Sequence, residues 1–370
     1  MKTPFLSFSG MHVPIKKEII STFEKFYDSN SFVLGDRVKD FEEAYSKLTG
    51  VAQTIGVSNG LDALHIALSV LGISSGDEVI VPSNTYIATV LAISYTGATP
   101  VFVEPNIDTY NIESKNIEKA ITSRTKVILP VHLYGQSCEM EEIMAIANKY
   151  NLFVIEDNAQ SHLSKYKDKC TGTWGHINAT SFYPGKNLGA LGDGGGITTN
   201  DEEFAEKARI YRNYGSEKKY YNKVIGYNMR LDELQASLLQ VKLKYLEDWT
   251  KQRNEIASWY NHELAGIGDL ILPKVAKHAS HVYHLYVVRT NYRDKMQQFL
   301  DSAGIGSLIH YPIPPHLQEA YKHLGFKKGD FPIAEKIADT CLSLPIWPGM
   351  SKDNVIEVAI TLKKFFTTVS

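Results

Sequence analysis

The sequence predicts an α/β fold in which a large, mostly parallel sheet is followed by a small α+β unit. Between residues 50 and 250, short β-branched runs alternate with segments of helical spacing, which is typical of parallel strands covered by helices on both faces. After Leu231 the pattern changes to long helical stretches with one isolated strand. We therefore expect a large α/β domain over residues 1–250, including an N-terminal arm, and a small C-terminal α+β domain over residues 251–370.

Seven runs in the large domain have the composition of buried strands. They are residues 54–57, 78–81, 100–103, 126–131, 153–156, 179–182 and 196–199. Helical spacing is evident between several of them, for example over residues 61–71 and 141–150. Later in the chain we expect one or two helices over 231–264, a strand over 282–289, a helix over 293–303 and a final helix over 354–366.

The composition argues against several classes of protein. Lysine and arginine total 39 and aspartate and glutamate 41, so the formal net charge of −2 gives no electrostatic basis for binding nucleic acid. No run approaches the roughly 18–20 apolar residues that a membrane span needs, and residues 1–10 lack the features of a signal peptide. The three cysteines are too far apart for a disulfide framework or a zinc site. We expect a cytoplasmic protein with no metal, nucleic-acid or membrane partner.

In an open parallel sheet, ligands bind beyond the carboxyl ends of the strands, and three clusters of residues occupy such positions. The first, VSNGLDAL at residues 57–64, is a strand, a tight turn and a helix start whose free N–H groups can bind phosphate. The second, VIEDNAQSH at 154–162, places Asp157 at a strand end, where a carboxylate can pair with a ring nitrogen. Taken alone, the first is equally a capped helix, and the second is equally consistent with a helix cap or a metal ligand.

The third cluster is the glycine-rich segment SFYPGKNLGALGDGGG at residues 181–196, which contains Lys186. It is not a Walker A loop, because Thr180 and Asn187 stand where that motif needs glycine and a hydroxyl residue, and Ile197 breaks a dinucleotide-binding GxGxxG pattern. A lone Gly-Lys pair is more typical of an exposed loop. Together, however, the three clusters supply a phosphate cradle, a partner for a pyridine nitrogen and a Schiff-base lysine, in that order along the chain.

This combination resembles the fold-type I aminotransferases, and residues 181–195 are similar to the lysine motif of the DegT/StrS family of nucleotide-sugar aminotransferases. Other similar segments are EDNAQSH at 156–162, PVHLYG at 130–135 and GYNMRL at 226–231. The similarity extends from VLG at 33–35 to LP at 344–345, nearly the whole chain. The chain departs from the family pattern at Leu163, where glycine is usual, at Asn158, where alanine is common, and at Leu61, where threonine is common.

The resemblance implies pyridoxal 5'-phosphate as cofactor, with Lys186 attached to it and Asp157 paired with its pyridine nitrogen. The other cofactor-binding positions that it implies are Gly60, Leu61 and Ser181 at the phosphate, Tyr86 stacked on the ring, Gln160 near the phenolic oxygen, and Asn228 at the phosphate of the neighbouring subunit. Tyr183, His310 and Tyr311 are expected to contact the substrate. The resemblance therefore also implies a homodimer with shared active sites. We expect His281, His284 and His316 to be core or surface residues.

The implied reaction is transfer of an amino group from L-glutamate to a nucleotide-linked keto-sugar. Residues 59–65 and 156–160 are more similar to family members that act on dTDP-3-keto-6-deoxyhexoses, which predicts a dTDP-3-amino-3,6-dideoxy-glucose or -galactose product for polysaccharide or glycoconjugate synthesis. The alternatives are amination at C4 of a 4-keto-6-deoxyhexose and a non-catalytic cofactor-binding regulator, which would need a DNA-binding segment that the chain has no room for. A dehydratase is disfavoured, because such relatives carry histidine in place of Lys186.

Overall fold

The computed structural model describes residues 2–369, which contain twelve α-helices and thirteen strands. The helices are α1 Ser9–Ser29, α2 Asp36–Thr49, α3 Gly60–Val70, α4 Ile87–Tyr95, α5 Ser114–Ala120, α6 Met140–Tyr150, α7 Glu202–Tyr211, α8 Glu233–Leu243, α9 Leu246–Glu263, α10 Arg293–Ser302, α11 Pro332–Thr340 and α12 Lys352–Val369. The strands are β1 Gln53–Val57, β2 Glu78–Pro82, β3 Thr99–Val103, β4 Thr125–Ile128, β5 Phe153–Val154, β6 Lys165–Tyr166, β7 Lys169–Cys170, β8 Asn178–Ser181, β9 Gly195–Thr199, β10 Ser216–Lys218, β11 Tyr221–Asn222, β12 Tyr286–Arg289 and β13 Cys341–Leu344.

The main sheet has the strand order β3-β2-β4-β5-β8-β9-β1. The first four strands pair in parallel. Parallel bridges from Asp157 to Val131 and to Ala179 then connect the β5 side of the sheet to β8. Strand β9 is antiparallel to both β8 and β1, so it alone runs against the others. The predicted α/β fold with a mostly parallel sheet is confirmed.

All seven predicted strands of the large sheet are present, but two of them are shorter as regular strands than the apolar runs that encode them. Strand β4 ends at Ile128 and β5 at Val154. Sheet-like backbone hydrogen bonds nevertheless continue beyond both ends, because the N–H of Leu129 donates to Ile80 and that of Asp157 to Pro130, at 2.8 and 2.9 Å. Asp157 therefore lies at the edge of the sheet, where its backbone still pairs with Val131 on one side and with Ala179 on the other.

A second hydrophobic core lies in the last third of the chain. Strands β12 and β13 pair antiparallel there, and α9, α10 and α12 pack their apolar residues on them. The predicted division at residue 250 falls inside α9, so the two-domain organisation with that boundary stays a prediction. Nowhere in residues 2–369 is a helix both long and apolar enough to cross a membrane.

Leu163 has a φ of +65°, in the left-handed region that favours glycine. This is the position at which the family pattern usually has glycine, the residue that adopts such a conformation without strain. A side chain in this region costs about 1–2 kcal/mol. The conformation follows from the surroundings: the next residue, Ser164, is buried and its backbone N–H and C=O bind Ser161 and Thr171.

Candidate active site

A cavity of about 910 Å³ opens beyond the carboxyl ends of the parallel strands. Its walls come from the residues that follow β1, β2, β4, β5 and β8, together with Phe5 and Leu6 of the N-terminal arm and residues near β12 and β13. A cleft of this size, at this edge of an α/β sheet, is where a small-molecule site is expected.

Ten of the eleven predicted site residues line this cavity. They are Gly60, Leu61, Tyr86, Asp157, Gln160, Ser181, Tyr183, Lys186, His310 and Tyr311. The exception is Asn228, which is exposed on the surface and pairs through its backbone with Asn213. Folding thus brings together residues that are up to 251 positions apart in the sequence, between Gly60 and Tyr311. Their individual roles stay predictions.

The Asp157 carboxylate is buried and is held by two hydrogen bonds. Thr89 Oγ1 donates to Oδ2 at 2.8 Å, and the backbone N–H of Ala159 donates to Oδ1 at 3.1 Å. Burial raises the pKa of Asp157, and the two hydrogen bonds and the Lys186 charge oppose that rise. No ion pair to Asp157 is formed by any residue from 2 to 369. The site therefore presents a carboxylate that lacks a cationic partner.

Lys186 is partly buried in a turn that only glycines allow. Its backbone N–H donates to Tyr183 O at 2.8 Å, and a Cβ on Gly189 would lie 2.2 Å from Pro184 O. Burial lowers the pKa of Lys186 to about 8, although the Asp157 charge acts in the opposite direction. Among the described residues, no side chain or carbonyl accepts a hydrogen bond from Nζ. A fraction of the amine is therefore neutral near physiological pH, and Nζ is not held by a hydrogen bond, as a nucleophile requires.

The helix α3 begins beside the turn that carries Ser181. A Cβ on Gly60 would lie 2.7 Å from Ser181 Cβ, so only glycine allows this approach. Asn59 caps the helix by accepting from the Asp62 N–H at 2.9 Å. The side chains of Ser58 and Asn59 donate to the Asp62 carboxylate, which is thereby occupied by its own turn. The helix N-terminus and the Ser181 hydroxyl can then act together on a phosphate.

Aromatic residues form the opposite part of the cavity. Gln160 accepts from the Tyr134 N–H at 2.7 Å and donates to Tyr311 OH at 3.0 Å. The Tyr311 ring lies against Tyr86, with ring centres 5.1 Å apart. His310 Nδ1 lies 2.8 Å from the Ser343 hydroxyl. Tyr86 and Tyr183 expose about half of their surface, 50% and 57%, so they are available to a ligand.

His284, expected to be a core or surface residue and not a metal ligand, is half-buried and lines the cavity. Asn158, at which the chain departs from the family pattern, is buried and does not line the cavity, and its side chain accepts from the Ser161 hydroxyl. The reason is that Asn158 lies in contact with Gly172, where an added Cβ would be 2.9 Å from Nδ2, so the side chain points into the protein.

Phe5, Arg253 and His284 also contribute to the cavity wall, although none of them belongs to the three sequence clusters or was predicted as a site residue. Each lies far along the chain from the three clusters, and no local motif surrounds it. His284 is the one with a detectable signal, since it lies within the strand predicted over 282–289 and just before the start of β12 at Tyr286. Phe5 stacks on His310 with ring centres 5.8 Å apart, so the N-terminal arm is part of the site.

The residues present fit pyridoxal phosphate. Lys186 offers an amine with no hydrogen-bond acceptor, Asp157 offers a buried carboxylate without a cation, and Gly60 leaves room beside Ser181 at a helix N-terminus. These are the partners that the aldehyde, the protonated ring nitrogen and the phosphate of this cofactor require. Lys186 and Asp157 would hold the ring between them, with Gly60, Leu61 and Ser181 at the phosphate.

Comparison with known proteins gives the same answer. The DegT/DnrJ/EryC1/StrS aminotransferase family model matches residues 13–363. The dTDP-3-amino-3,6-dideoxy-alpha-D-galactopyranose transaminase of Aneurinibacillus thermoaerophilus is 51% identical over 362 residues, which cover 98% of this chain and 99% of the relative. The structure of S. venezuelae DesV in complex with a ketimine intermediate superposes with a TM-score of 0.96 at 42% identity, over 98% of each chain.

A further similar structure is NtdA from Bacillus subtilis with bound cofactor PMP, with a TM-score of 0.90, 32% identity, and coverage of 98% of this chain and 85% of that one. These matches confirm the fold-type I architecture and pyridoxal phosphate as the cofactor. Since the family model and the relatives extend over nearly its whole length, this chain belongs to the DegT/DnrJ/EryC1/StrS aminotransferase family and is a pyridoxal-phosphate-dependent aminotransferase.

Proposed function

We propose that this enzyme transfers the amino group of L-glutamate to C3 of a dTDP-3-keto-6-deoxyhexose. The product would be dTDP-3-amino-3,6-dideoxy-glucose or -galactose, a building block for surface polysaccharide or glycoconjugate synthesis. The observation that supports this most directly is 51% identity, over almost the full length, to a transaminase named for such a galactose derivative. The cavity of about 910 Å³ also extends beyond the cofactor-binding positions to Tyr183, His310 and Tyr311, which leaves space for a sugar substrate.

In this proposal Lys186 Nζ attaches the cofactor and then acts as the proton carrier. Pyridoxal phosphate, when bound, supplies an electron-withdrawing ring that stabilises negative charge on the substrate carbon next to the nitrogen. Because the pKa of Lys186 is about 8, amine and ammonium forms are both populated near physiological pH. The same Nζ can therefore accept a proton from the substrate carbon of the donor and return a proton on the acceptor side.

Asp157 is proposed to keep the ring nitrogen protonated. Its carboxylate receives hydrogen bonds from Thr89 and from the Ala159 N–H, which fix its orientation and stabilise the anion. Burial makes an unpaired carboxylate costly here, so a cation on the ring nitrogen would relieve the penalty. Gln160, held by Tyr134 and Tyr311, is proposed to lie at the phenolic oxygen.

The proposed regiochemistry is tested with three separate acceptors: dTDP-3-keto-6-deoxyglucose, its galacto epimer and dTDP-4-keto-6-deoxyglucose, each with L-glutamate. Amination of a 3-keto sugar is expected to be more efficient by at least about tenfold in kcat/KM, because a misplaced carbonyl leaves buried polar groups unpaired. Products are identified by mass spectrometry and NMR. Efficient amination of the 4-keto sugar alone, or amination of none of the three sugars, would reject the C3 proposal.

We also propose that the active enzyme is a homodimer in which Asn228 reaches the cofactor phosphate of the neighbouring subunit. Asn228 is exposed and lies outside its own cavity, in the segment 226–230 that resembles the family pattern. Loss of a hydrogen bond to a phosphate costs about 1.5–3 kcal/mol, so Asn228→Ala is expected to weaken cofactor affinity by about tenfold or more. This is measured by titrating the apoprotein with pyridoxal phosphate.

Heterodimers distinguish sharing from a defect within one chain. In a dimer of Lys186→Ala and Asn228→Ala subunits, one site would combine an intact Lys186 with an intact Asn228 from the other chain. About half of the wild-type activity per dimer is therefore expected, although each parent homodimer is impaired. Co-expression with two affinity tags isolates the mixed species, and a Lys186→Ala/wild-type heterodimer is the control. Absence of recovery in a stable heterodimer, or full activity in a monomer, would contradict sharing.

A further inference from the structure

The turn that carries Lys186 extends from the chain between two residues that pair with each other. The Ala190 N–H donates to Phe182 O at 2.7 Å and closes the base of the turn. Inside it, the Lys186 N–H donates to Tyr183 O at 2.8 Å. No other backbone N–H of residues 183–189, all of which the structure describes, donates to a backbone carbonyl. The position of Lys186 therefore depends on contacts that hold the turn from outside.

Helix α8 packs against the second half of this turn. Gln235 Oε1 accepts from the Leu191 N–H at 2.8 Å, and Lys242 Nζ donates to Gly189 O at 2.6 Å. The two side chains are about two helical turns apart, so they lie on the same face of α8. Apolar residues of α8 share a buried cluster with Leu188. The helix thus holds the turn with two polar contacts and an apolar one.

Lys242 is a buried cation without an acidic partner. The residue is 2% exposed, and no carboxylate in residues 2–369 forms an ion pair with it. Burial lowers the pKa of Lys242 to about 8. His12 of α1 offers no compensation, because burial and the Lys242 charge lower the pKa of His12 to about 4. The favourable dipoles on Lys242 are the Gly189 carbonyl and the C-terminal end of α8.

An apolar side chain at position 242 would serve the stability of the fold at least as well. A buried charge without a partner is costly, and replacement of buried charged groups by apolar groups of similar volume is often neutral or stabilising. What Lys242 provides instead is a charge-assisted hydrogen bond that fixes Gly189 O. Gly189 closes the turn, since a Cβ there would lie 2.2 Å from Pro184 O. The bond therefore fixes the end of the turn against its beginning, with Lys186 between them.

We propose that Lys242 is a positioning residue for amino transfer: its Nζ holds the carbonyl oxygen of Gly189 and thereby fixes the turn from which Lys186 reaches into the cavity. The proposal rests on the proposed role of Lys186, because the position of that amine is what the turn controls. Lys242 does not line the cavity, so it acts through the turn and not on a ligand. A displacement of about 1 Å in a reacting group can reduce a rate by about 100-fold.

Lys242→Met tests this role, because it keeps the length of the side chain and removes the donor and the charge. We expect kcat to fall about tenfold or more while KM for L-glutamate changes less than about threefold, since the cavity itself is intact. The Tm is expected to stay within about 4 °C of wild type, because the lost hydrogen bond and the relieved burial of charge oppose each other.

Lys244→Met is the matched control. Lys244 is exposed, forms an ion pair with Glu18 and should leave kcat and Tm unchanged when replaced. A kcat in Lys242→Met within about twofold of wild type would overturn the proposal. A Tm lowered by more than about 10 °C, or failure of the variant to fold, would also overturn it, because Lys242 would then serve the stability of the fold.

Amide hydrogen exchange in the apoproteins provides a readout that does not depend on activity. The amides of Lys186, Ala190 and Leu191 are hydrogen-bonded in the native turn. In Lys242→Met they are expected to exchange about tenfold or more faster than in wild type, whereas the amides of α12 keep their rates. Unchanged exchange of the three amides would overturn the proposal.

A measurement on the unmutated chain tests the contact itself. In wild-type apoprotein, brief labelling with acetic anhydride is expected to modify Lys242 at least about 100-fold more slowly than Lys244, because Lys242 Nζ is buried and bonded. Equal labelling of the two lysines, quantified by tandem mass spectrometry, would overturn the proposal. Borohydride reduction of the holoenzyme and peptide mapping test the attachment of the cofactor to Lys186 separately. Failure there would remove the proposed function, whereas labelling and exchange report on Lys242.

Discussion

Replacement of Lys186 by alanine is expected to abolish amino transfer while the chain still folds and still binds pyridoxal phosphate. Loss of the proton carrier alone should reduce the rate by about 10²–10⁴-fold, and loss of the covalent attachment adds to this. Folding should survive, because the Lys186 side chain is only partly buried and donates no hydrogen bond to residues 2–369. Steady-state turnover with L-glutamate and a keto-sugar, together with the visible spectrum, provides the measurement.

Two further variants serve as controls for this prediction. Lys186→Arg keeps a cation in the cavity but cannot attach the cofactor, so it should be as inactive as the alanine variant. Lys149→Ala removes an exposed lysine of α6 that binds Glu118, far from the cavity, and should leave the activity unchanged. Borohydride should fix the cofactor to the Lys149→Ala enzyme and to neither Lys186 variant. Turnover by Lys186→Ala at a near wild-type rate would remove the basis of the proposed mechanism.

Asp157→Asn is expected to reduce kcat by about 10²–10³-fold, the size of effect found when a preorganised electrostatic partner is removed. The amide has the shape of the carboxyl group, and its oxygen can still accept from the Ala159 N–H. Its nitrogen can donate to Thr89 Oγ1, whose hydroxyl can turn toward Thr85 Oγ1, 2.8 Å away. The exchange therefore removes the charge with little change in packing, and the measured loss reports on the charge.

Thr89→Val is the matched control for that variant, because it removes one hydrogen bond to the carboxylate and keeps its charge. The pKa of Asp157, already raised by burial, should rise further, but activity should fall by no more than about tenfold. The cofactor absorbance is recorded for both variants to separate weak binding from slow turnover. A larger loss in Thr89→Val than in Asp157→Asn would show that geometry, and not charge, is what Asp157 contributes.

The sequence by itself determined the fold class and most of the site. Strands, turns and helix starts are encoded locally, and in a parallel sheet the carboxyl ends of the strands meet at one edge. The positions of Gly60, Asp157 and Lys186 after β1, β5 and β8 were therefore sufficient to predict that they would share a cavity. Gly189 illustrates why local sequence was enough, since a side chain there would collide with the carbonyl oxygen of Pro184 in the same turn.

Only the tertiary structure decided which other residues close the cavity. Phe5 reaches it through the N-terminal arm, and His284 reaches it because Arg253 of a distant helix binds the carbonyl groups of its segment. Asn158 shows the converse, since it follows Asp157 directly and yet points into the protein against Gly172. The physical reason is that a side chain's direction at a loop is set by long-range packing and hydrogen bonds, which leave no periodicity or motif in the sequence.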